Sequence, residues 1–226
     1  MKIIGILGRA YYNKDNQEII QTHNTVHKYF INNKDVVCIT ILPTEKDDYL
    51  NLNVGYKNVN IEKMDYILDK CDAFVLPGGT YCYENDEYVI NYAIKHNKPL
   101  LAICLGFQTL CSVFAKDRDS FFVLKEDKDS YHLGKADEYK HKVLIQKDTK
   151  LEKIINKSEI LVNSVHHSIV DYEMNELIVN AISDDGIIEG VEYPNNKFIM
   201  GFQWHPEYLC DENSNLILDE FINSIR

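Results

Sequence analysis

The stretch Lys98-Pro-Leu-Leu-Ala-Ile-Cys-Leu-Gly-Phe-Gln108 constrains the fold more than any other part of this chain. Residues 99–103 make an apolar run of strand length, and from there the apolar spacing changes to Leu105, Leu110, Val113 and Phe114, which suits a helix packed on that strand. Cys104 therefore sits at a strand-to-helix turn. Ala102 and Gly106 stand two residues to either side of it, the small-nucleophile-small pattern of a nucleophile elbow, and Gly106 admits close approach of another backbone. An elbow of this kind holds its side chain at the carboxyl end of a sheet, where the first amides and the dipole of the next helix favour a thiolate. The expectation is a partly ionised, reactive thiol, although a buried structural cysteine would share the same local pattern.

A second segment bears on that choice. Residues 197–204, Lys-Phe-Ile-Met-Gly-Phe-Gln-Trp, read as a strand that delivers His205-Pro206-Glu207 at its end. A thiol nucleophile needs a general base, and the imidazole needs an acceptor that sets its tautomer; His205 and Glu207, with rigid Pro206 between them, can supply both. A solvated loop is the bland reading of the tripeptide alone. Its occurrence about a hundred residues after the cysteine elbow weighs against that.

Asp72-Ala-Phe-Val-Leu-Pro-Gly-Gly79 reads as a strand ending in a Gly-Gly turn. Glycine permits backbone angles that aim an N–H inward, so the amides of Gly79 and of Leu105 are candidates for an oxyanion hole. By itself the turn would be ordinary punctuation at a strand end.

With these residues in view, Ile103-Cys-Leu-Gly-Phe-Gln108 and Gly201-Phe-Gln-Trp-His-Pro-Glu207 resemble class I glutamine amidotransferase domains. Val162-Asn-Ser-Val-His-His-Ser-Ile169, followed by Asp185-Gly-Ile-Ile-Glu-Gly-Val191, resembles more narrowly the gamma-glutamyl hydrolase branch, the peptidase C26 group that includes gamma-glutamyl-GABA hydrolases. The resemblance spans nearly the whole chain, with three signatures in the family's order. It implies a single three-layer αβα domain over residues 1–226, of flavodoxin-like type, with a mostly parallel central sheet and a small antiparallel edge.

The resemblance also implies a reaction: Cys104 attacks a gamma-glutamyl amide, His205 moves the proton, Glu207 orients His205, and a gamma-glutamyl thioester is hydrolysed without metal or organic cofactor. It places Gln108 against the glutamyl part of the substrate and His166 near its pocket, with Asn163 and Ser164 shaping that loop. His132 and His141 resemble histidines of the same group, in a structural or incidental role. Two departures bear on substrate choice. Thr80-Tyr-Cys-Tyr-Glu-Asn-Asp86 replaces a longer Gly- and Asp-rich loop, and Leu105 is nearer to the amidotransferase branch than to the hydrolases. The glutaminase component of an amidotransferase with a synthase partner, and a non-catalytic binding or redox-sensing module, are the alternatives.

Composition narrows the partners. A chain of 226 residues can bury a substantial core without disulfides. A formal charge of −11 works against nucleic acid and anionic membranes, so neither is expected; a small gamma-glutamyl substrate is, and a homodimer is allowed. The six cysteines lie singly, without C-x-x-C or ligand spacing, which fits reduced thiols in a cytoplasm and no zinc site. Adjacent His166 and His167 in an extended segment point to opposite sides, which argues against a metal at that pair.

Further elements follow from periodicity. Strands are expected at 2–7 and 36–42, and helices at 17–33 (with Ile19, Ile20, Val26, Phe30 and Ile31 inward), 61–70 and 84–97. Arg9, after the first strand, faces either the site or solvent. The region 44–60 carries no motif, and 115–139 reads as a long loop, a candidate lid. Short strands at 142–146 and 160–162 flank a weak helix at 151–155; 177–183, 187–192 and 198–202 form the antiparallel edge; a last helix at 213–225 turns Leu216, Ile217, Phe221 and Ile222 inward.

Overall fold

Strands that read as unbroken apolar runs are buried on both faces, and the middle of the sheet follows this rule. Every residue of β5 (Ala73–Leu76) and β6 (Leu100–Ile103) is buried. Ala73, Val75, Leu101 and Ile103 enter one core, while Phe74, Leu76, Leu100 and Ala102 enter the other. Two apolar faces require a layer of helices on each side.

The computed structural model describes residues 1–42, 58–81, 83–117, 125–126 and 131–225. Most of the 44–60 region, much of the 115–139 loop, and Cys82 lie outside the described residues. In chain order the elements preceding β5 are β1 (Lys2–Leu7), β2 (Arg9–Tyr12), β3 (Glu18–Gln21), α1 (Asn24–Ile31), β4 (Val36–Ile41) and α2 (Ile61–Leu68). Helix α3 (Glu84–Lys95) leads into β6, and α4 (Leu105–Val113) leaves it. Then come β7 (Lys125–Glu126), β8 (His141–Ile145), α5 (Lys150–Ile155), β9 (Glu159–Val162), β10 (Ser168–Ile169) and β11 (Ile178–Ser183). The chain closes with β12 (Ile188–Glu192), β13 (Ile199–Phe202), α6 (Pro206–Leu209) and α7 (Glu212–Ser224).

Nine of the described strands form one sheet in the order β4-β1-β5-β6-β13-β12-β11-β8-β9. From β4 to β13 neighbours are parallel, and from β13 to β9 antiparallel. The antiparallel side extends beyond the three expected strands because β8 and β9 join the same sheet. Side chains of α1, α5 and α7 fill one core, and those of α2, α3 and α4 the other. This is the three-layer α/β architecture expected. Among the described residues no helix is long and apolar enough to cross a membrane.

The expected helix at 17–33 is shorter than its apolar spacing suggested. Its first part is instead a hairpin in which Ala10 pairs with Ile20 and Tyr11 with Ile19. Asn13 makes the turn: its Oδ1 accepts the N–H groups of Asp15 and Gln17 at 3.0 and 2.9 Å, and Asn16 adopts a left-handed φ of 57°. β-branched Ile19 and Ile20 suit a strand, so the helix begins only at Asn24, and Val26 and Phe30 alone of the predicted stripe are buried. Leu216, expected inward, is exposed; Leu218 joins Ile217, Phe221 and Ile222 in the core instead.

Candidate active site

The elbow is built as its sequence pattern requires. Cys104 has φ 50° and ψ −104°, a region L-residues avoid, at a cost of about 1–3 kcal/mol. It is held there from both ends: its N–H donates to Phe202 O at 2.8 Å, and its carbonyl accepts from Gln108 N at 2.9 Å. A Cβ at Gly106 would stand 2.2 Å from Leu76 O, so only glycine lets β5 pass this close.

β13 lies parallel to β6 with Phe202 opposite Ile103, so the chain leaving β13 passes the elbow. Trp204 is buried against Phe202, with ring centroids 4.6 Å apart, and anchors the segment. His205 follows as the residue capping α6, Pro206 occupies the first turn, and Glu207 comes next. Glu207 Oε1 lies 2.8 Å from His205 Nδ1. Burial would push the pKa of His205 down, but the Glu207 carboxylate and the Cys104 sulfur, each hydrogen-bonded to the imidazole, outweigh it and hold the ring well above its usual range. The Cys104 sulfur, the His205 imidazole and the Glu207 carboxylate thus meet in one place, an arrangement able to deprotonate a thiol and return the proton to a leaving amine.

These groups open into a pocket of about 350 Å³. Pro77, Gly78, Gly79 and Thr80 form one wall, and the β2–β3 hairpin contributes Tyr11 and Gln21. A Cβ at Gly78 would come within 2.8 Å of His205 Cε1 and 3.4 Å of Cys104 Cβ, so this glycine is the one packed against the cysteine and the histidine. A Cβ at Gly79 would instead meet the aliphatic stem of Arg9, 3.0 Å from its Cγ. Leu105 begins α4, where first-turn amides have no intrahelical acceptor. Arg9 reaches neither solvent nor pocket: it is buried, its Nε donates to Pro77 O at 2.9 Å, and it pairs with Asp86. It underpins the Gly-Gly turn.

The three side chains expected to touch substrate do not line this pocket. Gln108 is buried beneath it, its Nε2 donating to Ser168 O at 3.1 Å and Gln203 Oε1 at 3.0 Å. Ser164 and His166 point away, towards His132 and Glu189 respectively. His166 is buried and His167 exposed, as an extended segment demands. Asn163, beside them, holds the backbone of His205. Sequence reasoning missed Tyr208, which lines the pocket, packs edge-on against the His205 ring at 5.6 Å and lies 2.9 Å from His23 Nδ1. An aromatic one residue past the His-Pro-Glu tripeptide is the signal that was available.

Comparison with known proteins bears on the family and the fold. The Peptidase C26 family model matches residues 83–207. A glutamine amidotransferase-like protein of Rickettsia prowazekii is 46% identical over 79 residues, 34% of this chain and 28% of that protein. Anthranilate synthase component 2 of Cyanophora paradoxa is 30% identical over 185 residues, 80% of this chain and 85% of that protein. The solved glutaminase domain of Trypanosoma brucei CTPS with bound acivicin superposes with a TM-score of 0.66 at 19% identity, over 100% of this chain and 94% of that one, a likeness of fold. The chain spans about a third of the length of several curated relatives, CTP synthases among them. The match covers more than half of the chain and takes in the elbow, the Val162–Ile169 signature and His-Pro-Glu, so the chain belongs to the peptidase C26 family of the class I glutamine amidotransferase-like superfamily.

Proposed function

We propose that the chain is a cysteine-dependent hydrolase of gamma-glutamyl amides. The observation that carries this reading is His205 held by Glu207 at 2.8 Å while its ring bonds the sulfur of strained Cys104. Cys104 attacks the side-chain carbonyl, and the oxyanion is received by the amides of Leu105 and of the Gly78–Gly79 turn, with Gly79 the donor and Gly78 leaving room for the imidazole. His205 gives its proton to the departing amine. Water, deprotonated by His205, then cleaves the gamma-glutamyl thioester and releases glutamate. Gln108, Ser164 and His166 act behind the pocket wall rather than on the substrate. Thiols at Cys38, Cys71, Cys104, Cys111 and Cys210 that form no disulfide support work in a reducing compartment such as the cytoplasm.

A second reading is favoured by the relatives. Anthranilate synthase component 2 and the CTP synthases suggest a glutaminase that passes ammonia to a synthase partner. One assay separates the two. The purified chain is offered glutamine, gamma-glutamyl-GABA and a gamma-glutamyl peptide, with Cys104→Ser as the blank. At least one gamma-glutamyl amine or peptide is expected to exceed glutamine in kcat/KM. Inertness towards all three, with glutaminase activity appearing on addition of a synthase, would establish the second reading instead.

A further inference from the structure

On the antiparallel side of the sheet, four side chains from separate segments converge in the interior. His141 opens β8, Glu189 lies in β12, His166 sits just before β10, and His132 lies on the segment paired with it, its carbonyl accepting from His166 N at 3.2 Å. All four are buried, Glu189 completely. Nothing in the proposed hydrolysis uses them.

Each imidazole turns one nitrogen outward to an acceptor. His132 Nε2 lies 3.1 Å from Asp185 Oδ2, His141 Nδ1 lies 3.1 Å from Lys142 O, and His166 Nδ1 lies 3.0 Å from Ser168 O. Because a carboxylate or a carbonyl only accepts, each outward nitrogen carries a proton, and in the neutral ring each inward nitrogen is left with its lone pair. The inward atoms crowd together. His132 Nδ1 is 3.2 Å from His141 Nε2, and Glu189 Oε1 is 3.3 Å from His132 Nδ1, 3.8 Å from His141 Nε2 and 3.5 Å from His166 Nε2. Ser164 Oγ, 3.4 Å from His132 Nδ1, offers one weak donor to the group. His166 Nε2 and both Glu189 oxygens have no hydrogen-bond partner.

Lone pairs and a buried carboxylate facing each other repel unless positive charge lies between them. The spacing fits a metal ion. A tetrahedral ion with ligand bonds of about 2.0–2.1 Å keeps its ligand atoms about 3.3 Å apart, close to the 3.2–3.8 Å separations here. The single ligand atoms of His132, His141 and Glu189 all lie within 4.8 Å of one another. Outward acceptors on every histidine are the second shell that metal-bound imidazoles usually have. Two carboxylates, Glu189 directly and Asp185 through His132, balance a charge of two.

We propose that His132, His141 and Glu189 form a buried site for a first-row divalent cation, zinc by its donor set, with His166 Nε2 beside it, 3.5 Å from Glu189 Oε1. All three ligands are buried and none lines the pocket of Cys104, so the ion is structural. It ties β8 and β12 to the segment of His132, whose carbonyl holds His166 N, and so to the loop that carries Asn163 and through it His205. The site stands independently of the hydrolase reading.

The test uses the full chain, purified without chelator and then stripped. Metal analysis is expected to find about one equivalent of zinc before stripping, and cobalt(II) added to the stripped chain should give the intense visible absorption of a four-coordinate site while raising the thermal midpoint. Asp185→Asn should weaken cobalt binding about 10–100-fold, and Glu189→Gln more. His167→Gln, exposed beside the site, should leave binding unchanged. A folded stripped chain that binds no cobalt, or Asp185→Asn and Glu189→Gln chains that bind as wild type does, would overturn the site. So would metal-independent stability that falls as the pH rises, the mark of protons holding the cluster; if Glu189→Gln does not fold, Asp185→Asn decides.

Discussion

Asn163 clasps His205 from both sides of its backbone: Oδ1 accepts the His205 N–H at 2.8 Å, and Nδ2 donates to the His205 carbonyl at 2.9 Å. The same Nδ2 reaches Ala136 O. The imidazole beside Cys104 is thus set by a side chain that bonds its backbone and not its ring. Asn163→Ala leaves these buried groups unpaired, at a cost of about 1–3 kcal/mol in stability. Misplacing the base should lower kcat by roughly one to two factors of ten, each about 1.4 kcal/mol, with KM nearly unchanged. A variant with normal kcat and reduced stability would make Asn163 a merely structural residue.

The cysteines differ enough to be told apart by alkylation. Burial pushes the thiols of Cys38 and Cys71 up to about 11. Cys111, fully enclosed, lies well above the usual thiol range for the same reason, and Cys210 is raised by burial and then by Glu207. Cys104 alone of these has a protonated imidazole and a helix N-terminus beside it. Limited treatment with iodoacetamide near neutral pH should label Cys104 first, by peptide mass mapping. Earlier labelling of Cys71 or Cys111 would remove the basis for the nucleophile assignment.

Local chemistry made part of this site legible in sequence. The elbow and the His-Pro-Glu tripeptide each lie within a few residues, and their demands for small neighbours, a strand before and a helix after are written in the adjacent letters. The hairpin that walls the pocket was not legible, because Ile19, Ile20, Val26 and Phe30 fit a helical period and the deciding feature, the Asn13 side chain closing its own turn, concerns hydrogen bonds rather than hydropathy. The His132, His141, His166 and Glu189 cluster escaped for another reason: its members are 9 to 57 residues apart and meet only through the antiparallel pairing of β8, β11 and β12. Searching the His166–His167 pair for a local partner could not find it.

Arg9 and Asp86 form an ion pair that is almost wholly buried, and Asp86 also accepts the Tyr83 N–H at 2.7 Å. Removing one member of such a pair strands a charge in the interior, at a cost of about 3–5 kcal/mol. Asp86→Ala should show that loss in denaturant unfolding, and Arg9→Met combined with it should recover part. Because Arg9 also bonds Pro77 O and supports Gly79, activity in the double variant should stay low even where stability returns. Full recovery of activity with stability would mean that the Gly-Gly turn holds its own shape.

The raised pKa of His205 sets a pH dependence whose sign can be worked out. In the unfolded chain the imidazole titrates at about 6.5; in the fold, burial opposes its charge but Glu207 and Cys104 overcome that and hold it protonated to higher pH. A base with a raised folded pKa contributes stability that is fully present below the unfolded value and is lost as pH rises through the folded one. The stability difference between wild type and His205→Gln should therefore be largest below about pH 6.5 and shrink on the alkaline side. Activity carries the same mark: if the working form pairs a thiolate with a protonated imidazole, the alkaline limb of kcat/KM reports loss of the His205 proton. Glu207→Gln removes the carboxylate 2.8 Å from Nδ1 and should move that limb to lower pH. A limb that stayed in place in Glu207→Gln would show that another group governs it, and the role given to Glu207 would fall.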